Sequence, residues 1–189
     1  MSPSPRPTPS ACGFRLPMLL VLASSLMLAM GSPEPGSAQR GNAGWAAPQA
    51  GIRFGYDDNA QATVLGAQLR IPVLPGGQVE LVPSGDVVFL DGLREYQVHA
   101  DAVWVTGGRS GGLFGGVGLA VRNGIFEELD RETRTGANLV LGLVTRGRFQ
   151  GVPLGVQLEG RWVFMDTPVD PRVFTFGVNL PLWGWGSGD

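Results

Sequence analysis

The single histidine of the chain, His99, stands two residues before Asp101 in "EYQVHADAVWV". In an extended segment residues two apart share a face, so Asp101 can orient His99 as a base. A base of this kind needs a nucleophile. The serines beyond residue 40 are Ser84, Ser110 and Ser187. Ser84 falls mid-segment in a neighbouring extended run, Ser110 falls in a glycine-rich turn and Ser187 in the tail, so no nucleophile pairs clearly with His99. The expectation is that no residue is catalytic and that His99 and Asp101 belong to a polar interior. Metal chemistry is no better supplied. One histidine and one cysteine, Cys12, do not make a zinc site. The acidic residues Asp57, Asp58, Glu127, Glu128, Asp130, Asp166 and Asp170 read as solvated loop charges, so neither a metal nor a cofactor is expected.

The stretch "GGRSGGLFGGVGLAVRN", Gly107 to Asn123, raises the question of a phosphate-cradling loop. Such a loop needs a helix behind its glycines, and "LAVRNGIFEELD" supplies no capped amphipathic helix of useful length. A P-loop lysine is ruled out, since all fourteen cations are arginines. The stretch reads instead as a strand, with Leu113, Gly115, Val117, Leu119 and Val121 on one face and Phe114, Gly116, Gly118, Ala120 and Arg122 on the other. Small residues on the second face make room for large polar neighbours inside a narrow barrel. The near-neutral balance, formal net charge -2, gives no electrostatic case for nucleic acid.

From Ala50 onward the apolar period is two throughout. Ile52, Phe54 and Tyr56 oppose Arg53, Gly55 and Asp57. Leu65, Ala67, Leu69 and Ile71 oppose Gly66, Gln68 and Arg70. Similar alternation in "EYQVHADAVWV", "VPLGVQLEGRWVF" and "RVFTFGVNL", with segments around 78–90, 113–122 and 133–144, makes about eight strands. Most are near the roughly 9–11 residues that a tilted membrane strand needs. The turns "LPGG", "GGRSGG" and "RGRFQG" follow the second, fourth and sixth strands. The intervening connections, "DDNAQ", "DGLR", "NGIFEELDRE" and "MDTPVDPR", are acidic and mostly longer. The longest is about ten residues, which argues against strong adhesion.

Before the strands, Arg6 and Arg15 precede an apolar run from Leu16 to Met30, and Gly36 and Ala38 precede Gln39. This is the pattern of a signal peptide over residues 1–38, followed by a linker over 39–49, a barrel over 50–184 and a tail over 185–189. Export is the first functional expectation.

Alternation alone does not separate a soluble barrel with an apolar inside from a membrane barrel with the faces inverted. Two features favour the membrane. The polar face is glycine-rich with charges that can pair, giving an interior network of Arg53, Asp57, Gln68, Arg70, His99, Asp101, Arg122, Arg134, Asn138, Gln157, Glu159, Arg161 and Asn179. Aromatic residues Tyr56, Phe89, Tyr96, Trp104, Trp162, Phe164 and Trp183 fall near strand ends, as interfacial girdles do. The fold expected is all-β: an eight-stranded antiparallel up-and-down transmembrane β-barrel.

The closing strand adds a third feature. In "TFGVNLPL", Thr175, Gly177, Leu180 and Leu182 fill the places of a C-terminal insertion signal, and the whole of residues 50–183 resembles the small outer-membrane β-barrel proteins of Gram-negative-type bacteria, the superfamily of the OmpA transmembrane domain, OmpX and the opacity-type proteins. The chain departs from the pattern in running on through "WGWGSGD" and in carrying Pro181 inside the signal. The resemblance implies a monomer in the bacterial outer membrane, in contact with membrane lipid and lipopolysaccharide and inserted by barrel-assembly machinery, with an envelope or surface-interaction role. It also leaves open a narrow pore or a lipid A-modifying enzyme on the same barrel. A soluble secreted lipocalin-like binder is the alternative outside it. A lane of small residues past Gly116, Gly118, Gly155 and Gly177 would mark a pore.

Overall fold

The structure, a computed structural model, describes residues 47–90, 93–125, 132–165 and 170–182. The expected signal segment, the tail and Trp183 lie outside the described residues. Eight antiparallel strands form one closed barrel in chain order: β1 (Gln49–Asp57), β2 (Ala62–Pro72), β3 (Val79–Leu90), β4 (Leu93–Val105), β5 (Gly111–Ile125), β6 (Glu132–Phe149), β7 (Val152–Met165) and β8 (Arg172–Pro181). Closure runs from Gln49↔Pro181 to Asp57↔Val173, so β1 and β8 share an unbroken ladder. A closed sheet has no edge, and its backbone groups are satisfied within the ring. "GGLFGGVGLAVRN" lies within β5, and the glycines before it form a turn with a single 3₁₀ turn at Gly108–Ser110.

The loop rim differs from the sequence expectation. β1, β3, β5 and β7 finish at one end, 4, 2, 6 and 6 residues before the next strand begins, and β2, β4 and β6 finish at the other, 6, 5 and 2 residues before the next. The rims therefore differ in composition, acidic against glycine-rich, and hardly in length. "NGIFEELDRE" gives up both its ends because Asn123↔Thr133 and Gly124↔Glu132 continue the β5–β6 ladder, which satisfies backbone groups that a loop would leave open. The tightest turn, Gln150–Gly151, has φ of 50° and 84°. Two positive φ values match the right-handed strand twist, as in a type I′ hairpin turn.

One irregularity sits within β2–β3. Register runs to Gln68↔Ser84, breaks, and resumes at Ile71↔Leu81. Pro83 lies in the break, and a proline has no N–H to donate to the facing strand.

The alternation resolves as the sequence suggests. On β5, Phe114 and Ala120 are buried within the barrel, while Leu113, Val117 and Leu119 are exposed outside. Glycines on the inward face are required by their neighbours. A Cβ on Gly118 would meet the Asp101 carboxylate and the Ala100 carbonyl, whereas a Cβ on Gly147 meets nothing within 4 Å. Gly118→Val is expected to lower stability by about 1–3 kcal/mol or more through overpacking, with Gly147→Ala neutral. Urea unfolding midpoints of the lipid-reconstituted barrel check the pair, and equal midpoints would contradict the packing.

Candidate functional site

Among the described residues the strands converge polar side chains in the interior, which is organised in tiers. At the end with the glycine-rich turns, Glu80 of β3 lies between two arginines. Arg70 Nε donates to its Oε2 at 2.7 Å, and Arg146 Nη2 donates to its Oε1. Arg70 Nη1 also donates to Gln157 Oε1 at 2.8 Å, and its guanidinium stacks 4.8 Å from the Phe114 ring centroid. Gln68 Nε2 donates to Gln157 Oε1 at 2.8 Å and to Asn179 Oδ1 at 2.7 Å. Three amides and two guanidiniums thus close this tier.

In the middle tier Arg53, 1 % exposed, donates through Nε to Asp86 Oδ1 at 2.7 Å and through Nη2 to the second oxygen of the same carboxylate. That fork is the bidentate geometry at which arginine–carboxylate pairs are strongest. Nη2 also donates to Ser84 Oγ at 2.9 Å, and Nη1 to Glu159 Oε1 at 3.3 Å. Arg161 Nη2 reaches Glu159 Oε1 at 2.9 Å and Asp101 Oδ2 at 2.8 Å, and Asn138 Nδ2 donates to Asp101 Oδ1. The carboxylates are spaced so that each buried anion meets a buried cation, as low-dielectric burial demands.

At the loop rim Arg122 Nε donates to Glu95 Oε2 at 2.6 Å, with Gln97 beside the same guanidinium. Asp57 lies 3.9 Å from Arg122, but its Oδ1 accepts from the Asn59 and Ala60 N–H groups at 3.1 Å each. It therefore holds the β1–β2 turn in an Asx-type arrangement more than it joins the network. Arg134 sits opposite Arg122 in the ladder, on the inward face, and is exposed at the rim.

Of the thirteen residues expected inside, Arg53, Gln68, Arg70, His99, Asp101, Asn138, Gln157, Glu159, Arg161 and Asn179 lie in the two lower tiers; Asp57, Arg122 and Arg134 are at the rim. One pairing differs from expectation. The carboxylate next to His99 is Asp86 of β3, with Nε2 to Oδ2 at 3.4 Å, while Asp101 is engaged by Arg161 and Asn138. The reason is register: inward residues two apart on one strand point side by side, whereas the neighbouring strand brings Ser84 directly opposite His99 and Asp86 diagonal to it. Ser84, Asp86 and His99 are buried, and the Ser84 hydroxyl is engaged by Arg53. Among the described residues no group of three or more acidic or histidine side chains is placed to hold a metal ion; Cys12, Glu127, Glu128, Asp130 and Asp166 lie outside them.

Sequence reading missed Glu80, Ser84, Asp86, Glu95, Gln97 and Arg146 as members of the network. Alternation in "VELVPSGDVVFL" carries the signal for the first three, which fall on even positions with Val82 and Val88. Arg146 reads as part of a turn because β6 outruns its apolar pattern to Phe149. The interior is also more apolar than charge pairing suggests. Val82, Val103, Val105, Phe114, Val140 and Val144 cluster beside the network, and Ala62, Val64, Val88 and Val173 fill the loop end. The small-residue lane is occupied: a Cβ on Gly116 would meet Val103, one on Gly118 the Asp101 carboxylate, and one on Gly177 the Gln157 side chain.

Outside, the pattern inverts. Ile52 (68 % exposed), Leu65, Leu81, Val98, Leu119 (70 %), Leu141, Phe164 and Leu180 represent a belt of large apolar side chains on all eight strands. Tyr56, Phe89, Tyr96, Trp162 and Phe164 lie toward the loop rim, with Trp162 packed edge-on to Phe174 at 6.4 Å, whereas Trp104 and Phe149 lie at the glycine-turn rim. Thr175 and Gly177 of the closing strand face inward, and Leu180 and Leu182 are exposed.

No protein-family profile and no curated protein matches the chain. Among solved structures, the N-terminal β-barrel domain of Pseudomonas aeruginosa OprF superposes with a TM-score of 0.57 at 18% identity, covering 72% of this chain and 97% of that one. The fold is that of the OprF N-terminal β-barrel domain. Neisserial surface protein A, at a TM-score of 0.48 and 12% identity, covers 71% of this chain and 96% of its own. The likeness to the OprF domain extends over nearly the whole of that domain, and the eight strands account for it.

Proposed function

We propose that the chain is an exported outer-membrane protein whose barrel is closed by its own side chains and whose role is structural, in the envelope or at its surface. The observation that carries this is the inversion of faces: an apolar belt on all eight strands around an interior in which Arg53, Arg70 and Arg161 are ion-paired. A soluble protein rarely exposes a contiguous apolar patch beyond several hundred Å², and a belt around a whole barrel exceeds that. The chain of contacts from Arg146 through Glu80, Arg70, Gln157, Glu159 and Arg53 to Asp86 runs along the interior, which supports a plug in preference to a pore. The barrel stands as a monomer in lipid and lipopolysaccharide, and Thr175, Gly177, Leu180 and Leu182 serve as the signal read by barrel-assembly machinery.

The test is refolding of the full chain into detergent and lipid vesicles. Unboiled and boiled samples are expected to migrate differently on a denaturing gel, with β-rich circular dichroism only where detergent or lipid is present. In planar bilayers the barrel is expected to carry no steady current. A β-rich monomer soluble without detergent would overturn the membrane assignment, and sustained conductance would overturn the plug.

A further inference from the structure

The inner face of the barrel carries more cation than anion at its glycine-turn end. Arg70 of β2 and Arg146 of β6 both reach Glu80, one to each carboxylate oxygen. Among the described residues Glu80 is the one carboxylate at this end. Arg148 lies two residues further along β6. Side chains alternate along a strand, so Arg148 shares the inner face with Arg146, while Gly147 and Phe149 face outward. In the ladder Arg146 stands opposite Gly155 and Arg148 opposite Pro153, neither of which has an acceptor side chain. Arg148 is exposed at the mouth and has no ion pair or hydrogen bond among the described residues. Arg109 adds a further cation to this end, in the turn that Arg146 ties through the Gly108 carbonyl at 2.8 Å.

Two buried donors bear on what this charge meets. Arg70 Nη2 and Arg146 Nε are buried without an acceptor, a state that calls for an ion or water as partner. Glu80 is already shared by two guanidiniums and has no charge left over for Arg148. The walls beside it are apolar, formed by Val103, Val105, Phe114 and Val144, and low-dielectric walls focus a field. The middle tier has the opposite excess, with Asp86, Asp101 and Glu159 set against Arg53 and Arg161. The interior is thus positive at the glycine-turn mouth and negative behind it, which draws an anion in and stops it there. We infer that Arg146 and Arg148 bind a small oxyanion of the phosphate class in this mouth. Arg148 supplies the planar fork that suits such a group, and Arg146, anchored on Glu80 and Gly108, supplies Nε. The ligand lies inside the ring of strands, so it comes from the aqueous phase and not from the bilayer. The site uses only the inner face, and it stands whether lipid or water surrounds the barrel.

The experiment uses the full chain refolded in a non-ionic detergent, with inorganic phosphate as the probe and isothermal titration calorimetry as the readout. Chloride holds the ionic strength fixed and no other oxyanion is present. Saturable binding is expected. Loss of charge-assisted hydrogen bonds weakens binding by about tenfold or more, so Arg148→Gln is expected to bind phosphate at least about tenfold more weakly and Arg148→Glu not at all. Because Arg148 makes no bond within the barrel, both variants are expected to fold, which gel shift and circular dichroism verify. Arg94→Gln, whose guanidinium stacks on Phe89 at the other rim, is expected to bind as the parent does. Absence of saturable binding overturns the site. So does an Arg148→Glu barrel that binds like the parent, or an Arg94→Gln barrel weakened as much as Arg148→Gln, which would assign the binding to overall charge. A barrel that proves soluble without detergent is titrated in the same way, so failure of the membrane reading and failure of the site are read separately.

Discussion

Arg53→Met is expected to lower the stability of the reconstituted barrel by about 3–5 kcal/mol, the range for removing one partner of a buried ion pair. The substitution keeps volume but removes the fork that holds both Asp86 oxygens and the hydrogen bond to Ser84. Glu159 keeps Arg161 at 2.9 Å, so most of the loss falls on Asp86, left with His99 at 3.4 Å. A second change follows from that division. Asp86→Asn in the Arg53→Met background removes the orphaned charge and is expected to recover a good part of the loss, a non-additivity proper to groups in direct contact. Urea unfolding from lipid vesicles, followed by tryptophan fluorescence, measures all four corners of the cycle. Additive losses, or an Arg53→Met midpoint equal to that of the parent, would show that the pair does not hold the interior together.

The second large effect lies on the outer face. Leu119→Arg places a guanidinium at a mid-strand position of β5, flanked in the ladder by Ala100 and Ala137. At the middle of a bilayer an arginine on the lipid face costs about 2–4 kcal/mol, falling to about 0–1 near the interface. Leu119→Arg is therefore expected to unfold at markedly lower urea in vesicles, while Thr133→Arg, near the loop end of β6, changes little. The contrast separates the two kinds of barrel. In water an exposed Leu119 replaced by arginine would leave stability unchanged or improve solubility, so equal midpoints for both variants would place this face in solvent.

Much of the fold is legible in the residues themselves, because a strand's side chains alternate whatever its neighbours do. Arg53 against Ile52 and Phe54, and Gln157 and Glu159 against Leu158, reveal two faces of opposite character. The inward glycines of β5 declare where large neighbours must fit. Other features depend on register, which the local pattern does not encode. Sequence proximity offers Asp101 as the partner of His99, yet the β3–β4 ladder brings Asp86 there instead. Arg146 reads as a turn residue because no apolar alternation marks the last turns of β6, and only pairing with β7 extends the strand to Phe149. Charge composition along the chain likewise does not reveal that Arg109 and Arg148 share one rim with a single, already neutralised carboxylate.

The sequence by itself therefore determined the strand count, the two faces and the class of barrel, since each depends on period and on side-chain size at single positions. The tertiary structure alone decided which carboxylate meets which arginine, and that Gly116, Gly118 and Gly177 lie against their neighbours. Those are consequences of closure: once β8 pairs with β1, residues more than one hundred positions apart, such as Arg53 and Glu159, are brought within a few ångströms. In an interior just wide enough for side chains, every charge must then find its partner across the barrel.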